Sequence, residues 1–376
     1  MQGAGGLTTV DRGDHPWSDD MSQNIQQTRR GILQLAGAAA LTPAFSTLVR
    51  AAPPPPTVIT PELVAAASKE GKVIYYTSVE LKLAETIARA FEAQYPSVKV
   101  RVERTGAERV FQRISQEYGS KIYACDTVNS SDAAHFIVWK RDGMLEACEP
   151  EDVAKHYTAA YKDPDGQYAA WRIFLSVVAY NTGLVKPEDA PKSFADLLDP
   201  KWAGKLVKAH PSYSGTIMTA TQQMSRDMGW EYFEKLAKQR VMQVQSAVDP
   251  MKKVLLGERP VMVDGGDYGI FVEQDKGAPI EIVYPTEGTP LITGPSAVMK
   301  RAPNPNAAKL FYCWSFTREA QQLSVDVGGL RSAHALVTER KGRKPLSEIK
   351  TMKEDAAEVE KQADAIKTKY AALFKV

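Results

Sequence analysis

The sequence predicts an α/β protein built from two sets of alternating strands and helices, and three observations carry that expectation. From Lys72 onward, short β-branched and aromatic runs alternate with helical apolar stripes. The same alternation starts again beyond a boundary marked by Pro187 and Pro191. A proline- and glycine-rich segment, Tyr284 to Pro295, then interrupts the pattern before further helical segments, and is expected to return the chain to the first set.

In chain order, residues 1–52 read as a leader. Thr28-Arg29-Arg30-Gly31-Ile32-Leu33 sets paired arginines before an apolar run from Ile32 to Leu48, the pattern of a twin-arginine export signal. That run is short of the roughly 20 apolar residues a spanning helix needs, and Thr42, Pro43, Ser46 and Thr47 interrupt it. Cleavage is expected near Arg50-Ala51-Ala52 and a periplasmic location follows. Asp11, Asp14, Asp19 and Asp20 do not suit a basic signal-peptide start, so Met21 is read as the translation start. Residues 53–70 form a stiff lead-in, Pro53 to Pro56, and a first helix.

Val73-Ile74-Tyr75-Tyr76 reads as a strand, and Leu83, Ala84, Ile87, Ala88 and Phe91 then share one face of a helix that Pro96 stops. Val98 to Val102 alternates as a half-buried strand. A helix through Glu108 to Tyr118, a strand Cys125 to Asn129 and a helix from Ser131 to Gly143 follow. Leu175 to Thr182 reads as a single strand running into a turn, and Ser193 to Leu198 as helix-like. The second set comprises a strand at Lys205 to Ala209, helices Ser214 to Met228 and Trp230 to Gln239, and a strand Val261 to Val263. The Lys/Glu/Ala-rich stretch after Leu346 reads as a solvated, amphipathic terminal helix.

The length of 376 residues accommodates two domains. With 47 basic and 45 acidic side chains the net charge is +2, too small a field to draw the chain onto nucleic acid. Cys125, Cys148 and Cys313 lack metal-binding spacing. In an oxidising compartment Cys125 and Cys148 are the pair considered, with the third thiol left free.

Val73 to Ser78, Phe91 to Pro96, Val178 to Thr182, Phe194 through Lys201-Trp202, and Pro211 to Thr216 occur in an order and spacing that resembles the type II periplasmic solute-binding proteins, in the branch of ferric-iron, phosphonate and thiamine binders. The resemblance covers residues 70–340. It implies the two-lobed periplasmic binding protein type II fold, each lobe a mostly parallel sheet flanked by helices, with the ligand in the cleft between lobes. The expected lobes are 71–177 plus 290–376, and 178–289. It also implies a monomeric, non-enzymatic component of an ABC transporter that delivers a small anionic or ferric ligand to a membrane permease.

Loops that leave such strands open into helix N-termini, where unpaired N–H groups and the helix dipole favour an anion. Thr77-Ser78-Val79-Glu80, Asn129-Ser130-Ser131-Asp132 and Ser212-Tyr213-Ser214-Gly215-Thr216 have that form, with ordinary capping as the alternative for each. Gly215 allows close backbone approach. Arg104 after the second strand and Arg172 before the crossover are the guanidinium groups placed to clamp an anion, and Trp171 is a candidate aromatic wall. Asp264-Gly265-Gly266-Asp267-Tyr268 ends another strand. Iron-binding members of the family carry adjacent tyrosines in this region; here only Tyr268 matches, with Asp267 before it, so these two, helped by Glu80 or Asp132, are the metal ligands if ferric iron is the cargo. The candidate ligand-binding set is therefore Ser78, Glu80, Arg104, Ser130, Ser131, Asp132, Arg172, Ser214, Gly215, Thr216, Asp267 and Tyr268, with no resident cofactor. No P-loop, GxSxG, HExxH or dinucleotide fingerprint is present, which leaves a secreted hydrolase acting through Ser214, or a sensor module, as the alternatives.

Overall fold

The computed structural model describes residues 54–376; the leader, its twin-arginine motif and Met21 lie outside the described residues. The chain begins with α1 (Pro61–Glu70), β1 (Lys72–Thr77), α2 (Leu81–Gln94), β2 (Lys99–Arg104), α3 (Ala107–Gly119), β3 (Thr127–Asn129), α4 (Ala133–Arg141), α5 (Glu151–His156) and β4 (Ala169–Leu175). It crosses to β5 (Val178–Asn181), β6 (Leu206–Ala209), α6 (Gly215–Met228), α7 (Trp230–Ala237), β7 (Met242–Val244), α8 (Asp249–Leu255), β8 (Val261–Met262), α9 (Asp267–Gln274) and β9 (Ile280–Val283). It returns through β10 (Thr289–Val298) to α10 (Pro305–Ser315), α11 (Arg318–Gly328), β11 (Thr351–Met352) and α12 (Ala356–Phe374).

Local chemistry sets these boundaries. Thr60 accepts the Leu63 N–H at 3.2 Å, Pro61 takes the first helical position of α1, and Gly71 at φ +72° ends it and turns the chain directly into β1. Along β1 the side chains alternate between two cores. Val73 and Tyr75 pack with Leu83, Ile87, Phe91 and Phe311, whereas Ile74 and Tyr76 pack with Val110, Ile114, Phe136 and Trp139 on the opposite face. The first sheet is thus covered on both sides. The second follows the same rule: Val178 and Tyr180 join Phe194, Trp202 and Phe233, while Val177 and Ala179 join Val254, Ile270 and Ile280.

The sheets run β11-β10-β3-β1-β2, with β4 also on β10, and β7-β6-β8-β5-β9. The strands fed by helices are parallel: β1 with β2 and β3, and β6 with β7 and β8. Among the crossover strands, β10 is antiparallel to β3 and β4 but parallel to β11, and β5 is antiparallel to β8 and β9. Both sheets are consequently mixed, a property that hydrophobic periodicity does not encode.

Three expectations are corrected. The run Leu175 to Thr182 is two strands, because Ser176 and Val177 carry the chain from one sheet to the other, with Ser176 N–H donating to Pro290 O and Val177 N–H to Gly265 O. Most of the segment read as an interruption is β10, in which Pro295 is tolerated because the ladder shifts register between Gly294 and Pro295. The helix-like reading of Ser193 to Leu198 is met by a short 3-10 helix, Ala195–Leu198. The terminal helix α12 does not stay with the first lobe: it packs on α4, α6 and α7, burying Val359, Ile366 and Tyr370. Lys367 pairs with Glu108 of α3 at 3.1 Å, and the Tyr370 hydroxyl donates to Gln243 at 2.9 Å, so α12 ties elements of both sheets together.

The return strand is fastened from two directions. Gln223 of α6 exchanges two hydrogen bonds with the Leu291 backbone, at 2.7 and 3.1 Å. Glu354 accepts from the Thr293 hydroxyl at 2.6 Å and from its N–H at 3.1 Å. Burial pushes the Glu354 carboxyl up to about 8 from 4.5, outweighing the Thr293 bonds that act to lower it. The folded protein then holds a proton that the unfolded chain has released. This contribution to stability is full below pH 4.5, falls as pH rises toward 8, and is level above that. Glu354→Gln should show a smaller drop in thermal midpoint between pH 5 and pH 8 than the parent; parallel profiles for the two proteins would count against the protonated carboxyl.

Candidate functional site

The parallel strands place their carboxyl ends, and the helix N-termini that follow them, on the side where the two sheets face each other. From β1 comes Ser78, from β2 Arg104 and Gly106, from β3 Ser131, and from the crossover strand β4 Arg172. Across from them stand Tyr213, Ser214 and Thr216 at the start of α6, Ser246 before α8, and Tyr268 in the first turn of α9. Together they line a narrow cavity of about 20 Å³. A wider cleft adjoins it, flanked by Glu80, Arg104, Arg109, Tyr213 and Lys252.

Arg172 dominates the inner cavity. Alternation along β4 sends Trp171 and Ile173 to one face and Arg172 and Phe174 to the other, and Gly294 on the paired strand leaves the space the guanidinium occupies. The residue is only 1% exposed, yet it forms no ion pair among the described residues. Its Nη2 donates to Ser78 Oγ at 3.0 Å, while Nε and Nη1 have no protein acceptor. Burial lowers its pKa, the physical signature of a cation short of counter-charge. Ser78 Oγ also accepts the Ser131 N–H at 2.9 Å. Both of its lone pairs are thereby engaged, and its proton is free to be donated to a guest. Arg104 donates through Nε to Val79 O at 3.2 Å, which holds the second guanidinium half-buried at the cavity edge.

Among the described residues no acidic side chain lines the inner cavity. What lines it is two guanidinium groups, serine and threonine hydroxyls, two phenols and the starts of α3, α4 and α6. Burial raises the Tyr268 hydroxyl above its ordinary range, and the ring meets Phe174 edge-on at 5.4 Å. This is a donor-rich, largely buried pocket suited to an anion.

Of the residues expected from sequence, Ser78, Arg104, Ser131, Arg172, Ser214, Thr216 and Tyr268 line this cavity. Glu80 caps α2, accepting the Leu83 N–H at 3.1 Å, and faces the outer cleft. Three others are directed elsewhere. Ser130 Oγ lies 3.2 Å from His135 Nδ1, and Asp132 caps α4 through the Ala134 N–H at 3.0 Å, both buried behind the cavity wall. Asp267 is fully buried, accepts the Leu175 N–H at 3.0 Å and pairs with Arg343 at 2.6 Å, so it is not turned toward a ligand. Trp171 is no aromatic wall: it lies in the first core and donates to Ser315 O. Phe174, Tyr213 and Ser246 supply the wall instead. Tyr213 sits inside a loop the sequence had marked, whereas nothing local distinguishes Phe174 or Ser246.

Gly215 has a different role from the one its sequence context suggests. A Cβ there would stand 2.5 Å from Asp132 Cβ and 3.1 Å from Ala107 Cβ, so the glycine permits contact between α6 and the helices opposite rather than contact with a ligand. Nearby, Arg109 of α3 donates to Gln245 across the same junction at 3.0 Å. Gly215→Val should leave unfolding cooperative and its midpoint within a few degrees of the parent, but weaken ligand binding at least tenfold by holding the lobes apart. Unchanged affinity in a titration would show that this approach is not needed for binding.

The model for the family described as "Bacterial extracellular solute-binding protein" matches residues 131–352. A probable ABC transporter periplasmic-binding protein of Sinorhizobium fredii, y4fP, is 22% identical over 60% of this chain and 64% of its own. The structure of the periplasmic binding protein AfuA from Actinobacillus pleuropneumoniae, with fructose-6-phosphate bound, superposes with a TM-score of 0.75 at 24% identity, covering 81% of this chain and 99% of that one. Iron-bound HitA from Pseudomonas aeruginosa gives a TM-score of 0.69 at 20% identity, covering 80% and 99%.

Proposed function

This chain belongs to the bacterial extracellular solute-binding proteins, and from that premise we propose that it captures a small, metal-free anionic solute in the periplasm and delivers it to the permease of an ABC-type importer. The observation that carries the reading is Arg172, a buried guanidinium with two nitrogens unsatisfied among the described residues, in a cavity whose described lining has no carboxylate. A phosphate, phosphonate or carboxylate group accepts from such a fork in two places and supplies the missing charge. The sugar phosphate carried by AfuA is in keeping with this chemistry. Ferric iron is less well served, because the described lining of the inner cavity holds no carboxylate, Asp267 is occupied by Arg343, and Glu80 meets Tyr268 only in the adjoining outer pocket.

Capture works by population shift. An anion bridging Ser78, Ser131 and Arg172 on one side and Ser214, Thr216 and Tyr268 on the other is bound fully only when the lobes are closed, and so favours that form for the permease. The chain acts as a monomer without chemistry on its cargo. Ser214 Oγ accepts the Ile217 N–H as a helix cap, and no bond from Ser214 to a histidine occurs among the described residues.

Thermal-shift titration with inorganic phosphate, fructose 6-phosphate, alkylphosphonates, ferric citrate, and ferric ion with carbonate tests the reading. A ligand at about 100 times its dissociation constant adds about 2.7 kcal/mol to the native state. Saturable stabilisation by a metal-free anion, lost in Arg172→Met, is expected. Stabilisation by ferric forms alone, lost in Tyr268→Phe, would replace this proposal with iron capture. For export, Arg29→Lys combined with Arg30→Lys should strand the precursor in the cytoplasm; normal periplasmic recovery would rule out the twin-arginine route.

A further inference from the structure

We propose that Cys148 and Cys313 are oxidised to a disulfide in the mature protein, joining the outgoing and returning halves of the first lobe. Their sulfur atoms lie 4.0 Å apart, both residues are buried, and they are 165 positions apart in the chain. Cys148 follows α4, before the chain leaves for the second sheet at Val178; Cys313 lies in α10, after the return through β10. The covalent loop would enclose every strand of the second sheet. Cys125, the partner considered from sequence, is in a different core and donates to Thr127 O at 3.2 Å, so it is the thiol left over.

The extracellular nature of the family places the pair in a compartment where disulfides persist. Thr57 completes the arrangement. Cys148 Sγ donates to its hydroxyl at 3.6 Å and Cys313 Sγ to its carbonyl at 3.8 Å, while its own N–H is held by Glu149 O at 2.7 Å. The lead-in segment at Thr57 therefore contacts both sulfurs.

Cys148 is the attacking thiol: once it ionises, the Cys313 S–H can turn from the Thr57 carbonyl to the thiolate 4.0 Å away, and that bond lowers the Cys148 pKa. As thiolate it attacks one sulfur of an external disulfide, either a small-molecule disulfide or an oxidised dithiol protein, and expels the first thiolate. The resulting mixed disulfide is then attacked by Cys313, which loses its proton and displaces the second thiol. Two protein thiols and one disulfide become one protein disulfide and two external thiols, with two electrons passing to the oxidant. The sulfurs must close to about 2.05 Å.

The test uses the full chain recovered from the periplasm, and the same protein refolded in a glutathione redox buffer, each alkylated in denaturant without reductant. One alkylated thiol is expected, three after reduction, and a non-reduced digest should join the Cys148 and Cys313 peptides. Reductant should lower the thermal midpoint by several degrees in the parent and in Cys125→Ala, but not in Cys148→Ala or Cys313→Ala. Three free thiols in both preparations, or a bond involving Cys125, would overturn the proposal, and the parent and Cys125→Ala decide it even where a core variant fails to fold.

Discussion

Replacing Arg172 by methionine should raise the thermal midpoint of the ligand-free protein while abolishing its stabilisation by anions. The two halves of this result have one cause. Without ligand the guanidinium is buried with a single hydrogen bond to Ser78 and no carboxylate partner, so its desolvation is not offset. An unsatisfied buried polar group costs about 1–3 kcal/mol, and more if charged. Methionine fills similar volume beside Phe174 without that cost. With an anion present the sign reverses, because truncating one partner of a buried, hydrogen-bonded charge pair costs about 2–5 kcal/mol of affinity. Arg172→Lys should keep the charge but lose the two-point fork, giving an intermediate loss. The measurement is a denaturation curve for each variant with and without saturating anion, and a methionine variant that binds normally, or is less stable when empty, would sink the proposed role.

The sequence made the helix-forming parts of this fold legible because they obey local rules. Apolar spacing located α2, α3, α4, α6 and α7, and capping residues such as Ser214 and Asp132 marked where they open. What it concealed depends on partners distant in the chain. Ser176 and Val177 look like the middle of a strand, and only their pairing with Pro290 and Gly265 makes them a crossing between sheets. The proline-bearing β10 resembles a loop until its register shift against β4 is seen.

The same division separates the site residues. Loops after strands pointed to Ser78, Ser131 and Ser214, since a strand end followed by a cap is a local pattern. Whether a polar residue in such a loop faces the cleft or the core is set by what lies behind it. For Asp132 that is Gly215 and His135, neither of which its own loop reveals. Composition made Asp267 and Arg172 look alike as cleft groups, and the fold gives them opposite situations.

Asp267 is the buried charge whose needs the protein meets itself, and removing it should cost stability rather than affinity. One carboxylate oxygen accepts the Leu175 N–H at the last residue of β4, and the other accepts from Arg343 at 2.6 Å, with Arg331 at 4.0 Å. Arg343 also donates to the Gly329 and Leu330 carbonyls, which fixes the segment after α11 against the start of α9. Asp267→Ala leaves a fully buried guanidinium without counter-charge and an N–H without acceptor, a loss of about 3–5 kcal/mol. Asp267→Asn retains an acceptor for Leu175 and should fall between the parent and alanine. Arg331 keeps Glu339 as a second partner, so most of the effect should pass through Arg343. A double-mutant cycle of Asp267→Ala with Arg343→Met checks this directly: the pair should couple by more than 1 kcal/mol, with the double variant more stable than the sum of single losses implies. Urea midpoints within error of the parent, accompanied by lost iron binding, would instead make Asp267 a metal ligand and return ferric ion to first place among the candidate cargoes.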